Sequence, residues 1–141
     1  MRAVTSNFLL EQGADLERTW RLCGPRPGLV PVDLTGYSGR LTILDPDGGV
    51  LLETSTVQGG LALGGGAGTI TLCVPAAVSA SWNLSRWPQG AVEVGRTALG
   101  VRRVALGAIG SYQCEITAPG VGGRTYRVLQ GQVALSPEVV K

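Results

Sequence analysis

The chain contains no histidine. That absence removes Ser-His-Asp and Cys-His nucleophilic catalysis, and with them the commonest metal ligand. The three cysteines, Cys23, Cys73 and Cys114, make no CxxC pair, so a zinc site has neither its sulfur spacing nor its imidazoles. Charge is scarce: 16% of the 141 residues are charged, against about a quarter in ordinary soluble domains. Lysine is almost missing, Lys141 being the single one among 12 Lys and Arg. A net charge of +2 is too small for nucleic-acid binding by bulk electrostatics. No apolar run approaches the roughly 20 residues of a membrane-spanning helix. The start, MRAVTSNFLLEQGAD, carries one Arg and a short apolar patch but no h-region of a secretory signal. These gaps predict a non-enzymatic chain without cofactor or metal. They predict no nucleic-acid or membrane partner, and a protein that stays in the cytoplasm or enters a particle assembled there.

Glycine is abundant, 22 of 141 residues, and spread along the chain. About twice the average usage, so distributed, fits many tight turns. Hydrophobic residues make up 44%, enough to fill the core of one domain of this length. A sparsely charged, Arg-biased surface suits a subunit packed against neighbours, since Arg is enriched in interfaces; a GC-rich genome produces the same bias.

The segment Pro31–Val74 is a series of short alternating strands joined by glycine turns. Leu41 and Ile43 fall on one face, Arg40, Thr42 and Leu44 on the other. Asp45-Pro-Asp-Gly-Gly49 turns the chain, because Pro46 presets φ and the two glycines accept positive φ. Val50–Thr56 returns as the partner strand, Leu61–Leu63 is a short strand between glycine clusters, and Thr69–Val74 follows. Upstream, Asn7–Leu10 reads as a first strand. Asp15–Cys23 alternates with Leu16, Trp20 and Leu22 on one face and Glu17, Thr19 and Arg21 on the other. Gly24–Pro31, with three prolines, is a loop. Pro75–Trp82 makes one helical turn with Pro75 near its first position. Ser111–Thr117 and Arg124–Leu135 form a second long hairpin, with Gly131 expected at a bulge. No long amphipathic helix disturbs this pattern. The chain as a whole, 1–141, is predicted to be a single all-β domain, an immunoglobulin-like β-sandwich.

Asp45 and Asp47 lack the further ligands of a calcium loop, so they read as a turn. LGGGAGTIT has no GK[ST] and leads into a strand, so it is no phosphate loop. Ten acids scattered over turns and faces give no support to a hydrolase. Asn83-Leu-Ser85 matches a glycosylation triplet by chance. Trp82 and Trp87 flank a polar loop; they anchor an interface, stack on a sugar such as a host surface glycan, or cap one end of the core. The cysteines are expected as buried free thiols on strands, with one disulfide plus a spare thiol, or an intersubunit cross-link, as alternatives. Tyr112-Gln-Cys114 resembles the Tyr-x-Cys of immunoglobulin domains, but the Trp expected soon after Cys23 is missing.

Ala91–Gly110 stands out. Val92 and Val94 alternate, as do Val104 and Leu106, so an extra hairpin or an extended arm is expected. Its apolar content is high for a free loop, which points to contact with a neighbouring subunit. The candidate interface residues are Arg96, Leu99, Val101, Arg102, Arg103, Val104 and Leu106.

Several segments, taken in order, resemble a family of small structural proteins of tailed phages and prophages. They are Glu11–Asp15 with the strand to Trp20, Pro31–Tyr37, the hairpin Arg40–Thr54, Gly59–Leu61 with Leu63–Gly65, Ala67–Leu72, Tyr126–Leu129 with Gly131, and Leu135–Val139. Against that family, residues 91–110 form an insertion between the Trp87–Gly90 turn and the strand at Ser111, and the Gly24–Pro31 loop is richer in proline. The resemblance implies a virion component with an immunoglobulin-like sandwich. Its partners would be other virion proteins and copies of itself, at the tail or baseplate, or as a capsid decoration or head-fibre protein. Deleting Val92–Ile109 is then expected to leave a folded monomer that no longer joins its assembly.

Overall fold

The computed structural model describes residues 3–24 and 30–137. Residues 25–29 of the expected Gly24–Pro31 loop, and Glu138 and Val139 at the end of the last matching segment, lie outside them. The elements run β1 (Val4–Thr5), β2 (Phe8–Glu11), β3 (Leu16–Arg21), β4 (Ser38–Leu44), β5 (Val50–Ser55), β6 (Leu61–Leu63), β7 (Thr69–Val74), α1 (Ala76–Ser79), β8 (Gly90–Arg96), β9 (Arg102–Thr117) and β10 (Thr125–Ser136). One sheet has the order β1-β10-β9-β4-β5, with β2 following β1 along β10 and β8 following β4 along β9; the second is β3-β7-β6.

This is an all-β sandwich of two packed sheets. The chain crosses between sheets from β2 to β3, from β3 to β4, from β5 to β6 and from β7 back to the first sheet. That is the Greek-key course of such domains. Antiparallel pairing covers β10–β9, β9–β4, β4–β5 and the whole second sheet, while β1 and β2 run parallel to β10. β1 and β2 thus form one edge of the first sheet, along β10.

Alternation sets what faces inward. Leu41 and Ile43 of β4, Ile70, Leu72 and Val74 of β7, and Tyr112, Cys114 and Ile116 of β9 are all buried between the sheets. At the centre, where immunoglobulin domains commonly place a disulfide against a Trp, three aromatics meet. Trp20 stacks on Tyr112 at 5.8 Å, and Phe8 meets each of them edge-on, at 5.7 and 4.9 Å. The Tyr112 hydroxyl donates to the Ser6 carbonyl, which pins the link between β1 and β2 to the core. Burial pushes the Tyr112 phenol up to about 12. Arg18, on the same face of β3 at the rim, lies over the Phe8 and Trp20 rings, at 5.7 and 5.5 Å.

Two local expectations change. The register shift in β10 falls between Arg127 and Leu129, not at Gly131. Gly131 is instead where the Ser6 backbone crosses: a Cβ there would lie 2.4 Å from the Ser6 carbonyl oxygen. The cysteines are free, but only Cys114 is buried; Cys23 is intermediate and Cys73 exposed. Cys73 sits out of phase with Ile70, Leu72 and Val74, so its side chain is on the solvent face of β7.

Candidate functional site

The insertion is a hairpin. β8 pairs with the first residues of β9 from Gly90↔Gly107 to Arg96↔Arg102, with a bulge between Glu93 and Gly95. Its turn is ordered by backbone bonds from Thr97 N–H to the Val101 carbonyl and from Gly100 N–H to the Thr97 carbonyl. Gly100 takes positive φ, 82°, a conformation that favours glycine in such loops. Arg96 adds a bond from Nη1 to the Gly100 carbonyl.

The base of the hairpin belongs to the fold. Val92 and Ala105 pack with Ala134 of β10 in a second small core, against which Leu9 and Val94 also lie. Asn7 ties it further, its amide donating to the Glu93 carbonyl and its side-chain oxygen accepting from Gln132 N–H. The hairpin thus folds back over the outer surface of β10 and β2. Residues Ala108–Gly110 pair directly with Val133–Leu135. The insertion 91–110 is therefore joined to the fold at its base: deleting Val92–Ile109 would remove the pairing of Ala108 and Ile109 with Leu135 and Ala134 and uncover Ala134, while Gly110–Thr117 keep their pairing with β10.

The tip and one face have a different character. Leu106, Val104 and Arg102 of β9, with Ala91, Glu93 and Arg96 across from them, share the face opposite the small core. Exposure is 61% for Leu106, 48% for Val104, 60% for Val101 and 93% for Leu99 at the turn. Arg96, Arg102 and Arg103 are exposed as well. All seven candidate interface residues stand together on this one hairpin. Ile109, outside that set, is also partly exposed, on the other face of the same strand.

The charges of the hairpin are unbalanced. Arg96 is bound to Glu93 at 2.9 Å. Arg102 and Arg103 have no ion-pair partner among the described residues. An apolar ridge with Arg102 unpaired on its face and Arg103 unpaired on the reverse is suited to binding a surface of opposite charge, because Arg combines planar hydrogen bonding with an apolar stem.

The two tryptophans are placed differently. Trp82 and Trp87 are half-buried and pack on the main core. Trp87 Nε1 donates to Asp47 Oδ2 at 3.0 Å, and Arg86 covers its ring at 4.9 Å. Gln12 reaches the carbonyls of Ser79, Ala80 and Trp82. Both rings thus fasten the segment after α1 to the sandwich, which is the core-capping role. Asp45 and Asp47 form a turn: Asp45 Oδ1 accepts from the Asp47 and Gly49 N–H groups. Among the described residues, no cluster of three or more His, Cys, Asp or Glu could hold a metal, and no helix is long and apolar enough to cross a membrane.

Comparison with models of known protein families finds no match, and comparison with curated protein sequences finds no significant relative.

Proposed function

We propose that this protein is a non-enzymatic structural component of a tailed-phage virion. In this reading it is a tail or baseplate accessory subunit that assembles through protein–protein contacts, with the β8–β9 hairpin as a principal contact. The carrying observation is that hairpin: a hydrogen-bonded turn presents Leu99, Val101, Val104 and Leu106 to solvent, where the fold gains nothing from them. Burying one such side chain is worth about 1.5–3 kcal/mol, and only a partner supplies that here. The ordered resemblance to small structural proteins of tailed phages and prophages supports a virion as the particle. A sugar platform built from Trp82 and Trp87 has less support, since both rings already serve the core and the Trp87 indole nitrogen is occupied.

Immunogold microscopy on particles induced from the source genome tests this reading. Label at the tail tip or tube is expected. Label over the head would move the protein to capsid decoration or head fibre. Unlabelled intact particles, with the epitope shown to be accessible, would remove the virion reading.

A further inference from the structure

A surface complementary to the hairpin exists elsewhere on the same molecule. One hollow of about 330 Å³ opens at the edge beside β5, floored by Leu52, Val74, Pro75 and Val78. A second hollow of about 330 Å³ continues from it across the end of β7, sharing Val74 and Pro75, and is rimmed by Asp15 and Glu17. Together they make a trough with an apolar floor and an acidic rim. Asp15 and Glu17 are exposed, and neither has an ion-pair partner among the described residues. The hairpin is the inverse, an apolar ridge with Arg102 unpaired on the same face.

The two surfaces lie apart. The hairpin folds over β10 and β2 at one end of the sheet order, and the trough begins at β5 at the other end. The apolar floor at Leu52 and Val78 is set off from the base of the hairpin by the strands between β5 and β10, which favours a second copy's hairpin as its occupant. Hairpin-to-hairpin pairing about a two-fold axis would set the arginines of one copy against those of the other, and like charges so placed are repelled.

We infer that the hairpin's partner is a second copy of this chain, engaged head to tail, with Leu99 seated in the apolar trough and Arg102, on the ridge face, turned to the acidic rim of Asp15 and Glu17. The inference rests on reading the hairpin as an assembly contact. A heterologous contact of this kind repeats from copy to copy and yields a ring if the rotation closes, or a filament if it does not.

The test is the mass of the purified chain by light scattering and sedimentation, up to millimolar concentration. The 14.6 kDa chain is expected to associate beyond the dimer. A hairpin variant, Leu99→Asp with Arg102→Glu, and a trough variant, Glu17→Arg with Val78→Arg, are each expected to weaken association by at least about tenfold. All four positions are exposed, so both variants keep the fold by circular dichroism; Asp15 is left intact because it accepts from Ala76 N–H. Mixed together, the two variants retain one good hairpin and one good trough, so they should form a heterodimer and stop there. A monomeric wild type overturns the inference. So does a trough variant that associates normally, or a mixture that fails to pair. A monomer that binds phosphatidylglycerol vesicles through Arg102 and Arg103 also overturns it, in favour of a lipid surface. The purified chain needs no particle: unlabelled particles sink the virion reading alone, and a labelled but monomeric protein sinks this inference alone.

Discussion

β9 is one strand with two fates. From Ser111 to Thr117 it lies under the second sheet, and Tyr112, Cys114 and Ile116 are at most 3% exposed. From Arg102 to Leu106 the same alternation continues, but nothing lies opposite, and Val104 and Leu106 stay in water. The residue types in the two halves hardly differ. What differs is the layer above them, so the pattern that fills a core in one half makes an adhesive face in the other. The junction is built from small residues, Gly107, Ala108 and Gly110, which let the strand pass close under the end of β10.

The largest test of that contrast removes side chains from each half. Ile116→Ala should cost about 2–5 kcal/mol, as for other large-to-small changes in a packed core. Leu106→Ala should change stability by less than about 0.5 kcal/mol. Urea unfolding of both variants decides it, and similar losses at the two positions would mean that Leu106 is not a free face. Truncation sharpens the same point: replacing residues 95–102 by a short turn should leave stability nearly unchanged, whereas removing Val92–Ile109 should lower the urea midpoint, because it takes away the small core over Ala134 and the pairs at Ala108 and Ile109.

The junction comes next. A Cβ on Gly107 would lie 2.6–2.8 Å from backbone atoms of Leu135, and backbone cannot step aside as a flexible side chain can. Gly107→Ala should therefore destabilise by about 1–3 kcal/mol. Gly95, in the same hairpin, has nothing within 4 Å of such a Cβ. Gly95→Ala should be neutral or slightly stabilising, by up to roughly 1 kcal/mol through the unfolded chain. Equal effects at the two sites would place the close approach elsewhere.

Alkaline pH probes the buried half alone. Burial pushes the Cys114 thiol from 9.0 up to about 12, and Tyr112 from 10.0 up to about 12. Below pH 9 both groups hold their protons whether the chain is folded or not. Above it the unfolded chain loses them first, so it binds fewer protons and stability falls as pH rises, over the window from about 9 to 12. Denaturation midpoints at pH 8, 9.5 and 10.5 should drop in that order, and Cys114→Ala should flatten the first part of the fall. Tyr112→Phe, at neutral pH, loses the bond to Ser6 and should cost about 1 kcal/mol.

Much of this arrangement was legible in the sequence, because alternation and turn chemistry are local. The inward faces of β3, β4 and β7, the turn at Asp45–Gly49 and the single helical turn after Pro75 followed from them. The parallel pairing of β1 and β2 with β10 did not, since it joins residues some 125 positions apart and no local pattern specifies it. Nor did the folding-back of the hairpin, which depends on Ala105 and Ala134 being small enough to pack together. The trough was invisible for a similar reason: its floor comes from β5, β7 and α1. Cys73 is a different kind of miss. Its phase against Ile70, Leu72 and Val74 already put it outward, and only the general tendency of cysteine to be buried argued otherwise.

That miss gives the smallest and cleanest discrimination. Cys73 and Cys114 lie on strands of facing sheets, one thiol on the solvent side and the other at 0% exposure with its proton held tightly. A thiolate is the reacting species, so a buried thiol whose proton is retained to about pH 12 reacts only when the protein opens. Under native conditions at pH 8, a thiol reagent should label Cys73 first, with Cys23 following according to its partial exposure. Cys114 should react only in denaturant, and peptide mass mapping assigns each site. Prompt labelling of Cys114 in the native protein would mean that the buried half of β9 opens as readily as the hairpin, and the contrast between the two halves would then be one of chemistry without a difference in order. Protection of Cys73 that depends on protein concentration would instead mark the trough it borders as occupied, and the Leu99→Asp, Arg102→Glu variant should then restore its reactivity.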